Sequence, residues 1–127
     1  MERDIKKYNE RIARFVGASI QQCKTVNTYK WVFNSNEFNP LKSKFDGRLV
    51  LQELHFHDDL NWAIEVLRLI ESRGCIVEII INLGYTSCRI CVVGKKNDKT
   101  ISIMHDDRDG QPIDAIYNSI CEYLDII

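Results

Sequence analysis

Two histidines and two acids stand together at His55-Phe56-His57-Asp58-Asp59, the side chains that general acid–base or metal-assisted phosphoester chemistry would use. A His-Asp step becomes a metal site only with further His and Asp ligands from other elements, and the one other histidine is His105. The same residues also suit the start of a helix, where acids cap the first turn and offset the helix dipole. Cys88-x-x-Cys91 has the spacing of half a zinc knuckle. Set in a strand, residues three apart point to opposite faces, so these thiols read as buried rather than chelating. No Gly-x-Ser-x-Gly elbow or glycine-rich phosphate loop occurs, and nothing couples Cys23 to a histidine. The residues therefore predict no catalytic group, no metal and no cofactor.

The other polar concentration is His105-Asp106-Asp107-Arg108-Asp109-Gly110-Gln111, just before a helix. Free N–H groups at a helix N-terminus make an anion site. There Arg108 could hold a phosphate in bidentate fashion, and the acids could accept ribose hydroxyls. Tyr85, at the neighbouring hairpin tip, and Arg89 add an aromatic surface and a second cation, with Trp31 and Phe33 as further stacking candidates. The expected ligand-binding set is Tyr85, Arg89, His105, Asp107, Arg108 and Asp109. A solvated turn whose acids offset the helix dipole is the competing reading.

Three helices and a meander must position these groups. Ile5, Tyr8, Ile12, Phe15 and Val16 recur at helical spacing up to Gly17. A second helix follows His57, Asp58 and Asp59 and ends at Gly74. Leu60, Ala63, Ile64, Leu67 and Ile70 form one apolar face and Trp62, Val66 and Leu69 another, so it needs cover from a sheet and from a further helix or subunit. Cys75 to Met104 reads as three antiparallel strands. A turn at Gly84-Tyr85 sets Ile81 against Cys88, Ile79 against Ile90 and Val77 against Val92, with Glu78 and Arg89 as diagonal neighbours. A second turn at Lys95–Asp98 sets Val92 against Ile101 and Ile90 against Ile103. Pro112 opens a third helix with Ile113, Ile116, Ile120, Leu124 and Ile127 on one face. Short strands are open near 29–33 and 49–54, and residues 34–47 read as a long connection of the kind used for function or interfaces. The expected fold is a single α+β domain over 1–127, a three-stranded antiparallel meander with flanking helices in a layered sandwich.

The formal charge of −1 argues against a nucleic-acid polymer or an anionic membrane as partner. Met1 to Arg14 lacks the apolar core of a secretory signal, and no run approaches a membrane span. Five cysteines without framework spacing then read as free thiols in a reducing cytosol.

The stretch Phe56-His57-Asp58-Asp59-Leu60-Asn61-Trp62, running through to Ile70-Glu71-Ser72, resembles small phage proteins of the ABA-sandwich type. In those, an aromatic-His-polar-Asp-x-Asn-Trp segment opens a helix ending in Ile-Glu-Ser. Ile12-Ala13-Arg14-Phe15-Val16-Gly17 is similar to their N-terminal Ile-Ala-x-Phe-x-Gly. Asp114-Ala115-Ile116-Tyr117-Asn118-Ser119-Ile120-Cys121-Glu122-Tyr123 is similar to their closing helix. Leu60 stands where the group usually has Trp. The chain looks most like the first class of Thoeris anti-defence proteins. The resemblance implies a non-enzymatic sponge, acting in the host bacterial cytoplasm during infection, that sequesters the cyclic ADP-ribose isomer made by host TIR proteins. It also implies a homo-oligomer, dimer or higher, with cyclic oligonucleotides held at separate sites in some members. Two rivals stay open: a phage inhibitor acting by direct contact with a host defence protein, and a phosphodiesterase-like enzyme using His55, His57 and Asp58.

Overall fold

The first helix forms where its ends are satisfied. In a computed structural model, which describes residues 4–22, 29–34, 37–38, 48–51, 53–82, 85–93, 100–107 and 111–127, α1 spans Ile5–Phe15. The Asp4 carboxylate accepts the Lys7 N–H at 3.1 Å, filling one of the orphan donors of the first turn. At the other end Gly17 adopts φ +88°, and its N–H and that of Ala18 return to the carbonyls of Arg14 and Ala13, closing the helix as a left-handed glycine does. A side chain at Gly17 would also bring its Cβ to 3.1 Å from a Glu37 carboxylate oxygen.

Strands β1 (Ser19–Gln22), β2 (Tyr29–Asn34) and β3 (Arg48–Leu51) make an antiparallel sheet in that order. Ile20 pairs with Trp31, Trp31 with Leu51, and Val32 with Val50. The two short strands open in the sequence are thus real, while β1 lies where the apolar pattern fades. Beside this sheet Phe33, Phe38, Phe56 and Trp62, all nearly fully buried, meet in tilted and edge-to-face contacts with centroids 5.0–6.1 Å apart, the geometry that ring quadrupoles favour. Phe38 comes from the expected long connection; the rest of 34–47, apart from Asn34 and Glu37, lies outside the described residues.

Helix α2 (Leu60–Ser72) follows the Asp59 carboxylate, which accepts the Asn61 N–H at 3.0 Å. It ends before Gly74, at φ +94°. Both of its apolar faces contribute to the interior: Trp62, Ala63, Val66, Leu67 and Ile70 are buried within a single copy of the chain. Ile64 and Leu69 are half-buried and Leu60 is exposed.

Strands β4 (Ile76–Asn82), β5 (Tyr85–Val93) and β6 (Thr100–Asp107) form the meander, and α3 (Pro112–Ile126) packs on β5 and β6. The β5–β6 register is as expected, with Ile90 opposite Ile103 and Val92 opposite Ile101. The β4–β5 register is shifted by two: Ile79 faces Cys88, Val77 faces Ile90, and Glu78 directly opposes Arg89 rather than sitting diagonally. A slip of two preserves every residue's face, so the apolar pattern could not distinguish the alternatives. The turn expected at Lys95–Asp98 lies outside the described residues. Under α3, Cys88, Ile90 and Ile103 meet Ala115, Ile116 and Ile120 in a closed core, and the buried Ser119 hydroxyl donates to the Cys88 carbonyl at 3.0 Å.

The result is an α+β fold with three helices and two three-stranded antiparallel sheets among the described residues. Its contacts cluster into two compact units, 1–65 and 66–127, whose boundary falls within α2.

Candidate functional site

The residues expected to bind ligand are split by the second sheet. Tyr85 and Arg89 share one face of β5, where the Arg89 Nε–H donates to Ser102 Oγ at 3.0 Å. His105 sits on the other face, opposite Cys88 in the register. Its ring meets the Glu122 carboxylate on α3. Asp107 pairs with Thr86 in the register. Arg108 and Asp109 lie outside the described residues. At the start of α3, the Asp114 carboxylate accepts the Gln111 N–H at 3.3 Å, so the helix supplies its own anion there. Cys88 and Cys91 face opposite sides of β5, as strand alternation requires, and both are buried. Burial pushes the Cys88 thiol up from its ordinary range, against a smaller lowering from the Ser119 hydroxyl.

A different group of residues converges. A cleft of about 490 Å³ opens between α1 (Ile5, Lys6, Asn9, Glu10), Trp31 of β2 and the segment before α2 (Glu53, Leu54, His55, His57, Asp58). Its hydrogen bonds can be followed atom by atom. Asn9, 4% exposed, points its amide nitrogen at the Leu54 carbonyl (3.4 Å) and at His57 Nδ1 (2.9 Å). A backbone carbonyl can only accept, so the amide end facing it is the NH2 group. His57 Nδ1 therefore accepts from that group, and the proton of the neutral ring is on Nε2. Nε2 lies 3.7 Å from Asp58 Oδ2. The other oxygen of Asp58 is 3.1 Å from His55 Nδ1, and His55 Nε2 is 3.5 Å from a Glu53 oxygen. The His55 ring stands edge-on to Trp62 at 5.6 Å, so the aromatic cluster props one end of this chain while α1 holds the other.

The cleft thus has an indole wall and an alternating series of acceptors and ring N–H donors. The Arg14 guanidinium lies 5.9 Å from the centre of the Trp31 ring, a cation–π contact that helps to fix the indole. A carboxylate beside an imidazole is also the arrangement that orients a general base. Among the described residues no group of three or more His, Cys, Asp or Glu side chains is placed to hold a metal ion. The sequence singled out His55, His57, Asp58 and Trp31 but missed Lys6, Asn9, Glu10 and Glu53. One signal was there: Asn9 falls four residues after Ile5 and three before Ile12, a polar residue on the apolar side of α1. No protein-family model, curated protein or solved structure matches this chain.

Proposed function

We propose that this chain is a phage anti-defence protein that binds a cyclic ADP-ribose isomer made by host TIR proteins and sequesters it uncleaved, as a homo-oligomer in the host cytoplasm. The observation that carries the reading is the cleft walled by Trp31 and lined by His55, His57, Asp58, Glu53 and Glu10. Its volume falls in the range of about 300–1,000 Å³ usual for small-molecule sites. Carboxylates accept the hydroxyls of two riboses, the Lys6 ammonium and the His57 Nε2–H donate to phosphate oxygens, and the indole offers an apolar wall to the base. A sponge needs such an array to be complementary to the intact ligand, not to a transition state. Among the described residues no helix is long and apolar enough to cross a membrane.

The test is uptake followed by release. Protein incubated with the signal and then heat-denatured should return the ligand intact. A cleaved product would overturn sequestration and assign His55 and Asp58 to catalysis. Asp58→Asn and Trp31→Ala should each lower uptake about 10-fold or more, since each removes a charged or aromatic contact worth ~1–3 kcal/mol. Arg108→Ala should leave uptake unchanged; loss in that variant alone would move the site to the segment before α3.

A second reading, direct contact with a host defence protein, draws on the exposed isoleucines of β4. It would be favoured by capture of a host defence factor without uptake of any nucleotide signal.

A further inference from the structure

β4 is an edge strand that lacks the usual protections. Among the described residues it pairs only with β5. Its sequence, Ile76-Val77-Glu78-Ile79-Ile80-Ile81-Asn82, has no proline and no lysine, the residues that commonly blunt an edge against pairing with another chain. Apolar side chains are exposed on both of its faces: Ile76 (54%) and Ile80 (47%) on one, Ile79 (40%) and Ile81 (77%) on the other. The opposite edge, β6, is built differently, with Thr100, Ser102, His105, Asp106 and Asp107 along it. Four exposed isoleucines on one short edge strand are more apolar surface than a strand facing only water usually presents.

We infer that β4 is the interface for a second copy of this chain, the two β4 strands pairing antiparallel to join the meanders into one six-stranded sheet. The inference deepens the oligomeric part of the proposed function and rests on that reading only for the statement that copies assemble. Symmetry and charge select a second copy as the occupant. A twofold axis perpendicular to the sheet lays residues of the same face opposite one another, so the strand is complementary to itself. Centring the axis on Ile79 pairs the whole strand: Ile79 with its own counterpart, Val77 with the partner's Ile81, Glu78 with the partner's Ile80, and Ile76 with the partner's Asn82. Centring it on Glu78 would set two carboxylates face to face, which like-charge repulsion disfavours. In the Ile79-centred register Glu78 has isoleucine rather than a second carboxylate across the interface, with Arg89 opposite it in the β5 register.

Light scattering over a concentration series tests this. The unmodified chain should be a dimer. Ile79→Lys sets two ammonium groups opposite each other, and Ile79→Glu two carboxylates; each variant should be monomeric, with association weakened about 100-fold or more. Mixing the two variants in equal amounts should restore the dimer, because Lys then faces Glu. Position 79 is exposed in the single chain, so circular dichroism should show both variants folded. Ile81→Lys, at the most exposed site of the strand, provides a second disruption. A monomeric parent chain, a dimer that survives Ile79→Lys, no restoration on mixing, or β4 engaged only by a host protein would each overturn the inference. Nucleotide uptake by the monomeric variants, measured in parallel, separates failure of the interface from failure of the ligand reading.

Discussion

Asn9 shows how one buried amide can organise a site. Its carboxamide is nearly inaccessible to solvent, and its nitrogen joins α1 to both the Leu54 carbonyl and the His57 ring. Removing it deprives two acceptors of this donor without offering another. Asn9→Ala should therefore cost about 1–3 kcal/mol in urea unfolding. It should also release His57 from its Nε2–H form, seen as a change in the ring 15N shifts. Unaltered ring shifts would refute the tautomer assigned here. Trp31 is legible in the sequence as an aromatic of unusual position. That it becomes the wall of a cleft depends on α1 and the segment before α2 reaching it from distant parts of the chain.

Among the elements, the meander and α3 separate what pattern can and cannot specify. Period-two alternation assigned Cys88, Ile90 and Ile103 to one face, and they are the floor beneath α3. The same alternation is blind to a two-residue slip, so it could not tell the observed pairing of β4 with β5 from one displaced by two residues. At the C-terminal part of α3, burial, reinforced by the neighbouring Cys75 thiol and opposed by Arg73, pushes the Tyr123 phenol up to about 12. In the unfolded chain a tyrosine ionises near 10. Between these values the unfolded chain sheds a proton that the fold retains, so this contribution to stability is intact below about pH 10 and is lost as pH rises through about 12. The loss should reach about 2 kcal/mol at most. Urea midpoints at pH 8, 10 and 11 should fall more steeply for the parent chain than for Tyr123→Phe. Equal slopes would show that the phenol titrates alike in both states.

For the whole molecule, charge and apolar surface point to different kinds of partner. Seventeen basic residues against eighteen acidic ones leave no field to hold a polyanion. The protein should pass unretained through heparin at physiological ionic strength, and retention would reveal a basic patch that these totals conceal. Among the described residues, exposed apolar side chains are most concentrated along β4, in contrast. Helix α2, apolar on two sides in sequence, buries Trp62, Ala63, Val66, Leu67 and Ile70 and leaves Leu60 exposed. A helix apolar on two sides can be covered by its own chain or by another, and periodicity is identical in the two cases. Only the packing tells them apart.

The sequence by itself determined the three helices, with their glycine and proline ends, the faces of the meander strands, and the α+β class. These depend on spacing along the chain and on the local conformations of Gly17, Gly74 and Pro112. It also marked His55, His57 and Asp58 as the densest group of proton-exchanging side chains. The tertiary structure decided which of the marked residues meet. It separated Tyr85 and Arg89 from His105 across a sheet, and brought Asn9, Trp31 and the His55–Asp58 segment to one cleft. Among the described residues it also left β4 at a sheet edge, paired only with β5. Each of these outcomes depends on residues far apart in sequence, where helix ends and strand periods carry no information about which surfaces will touch.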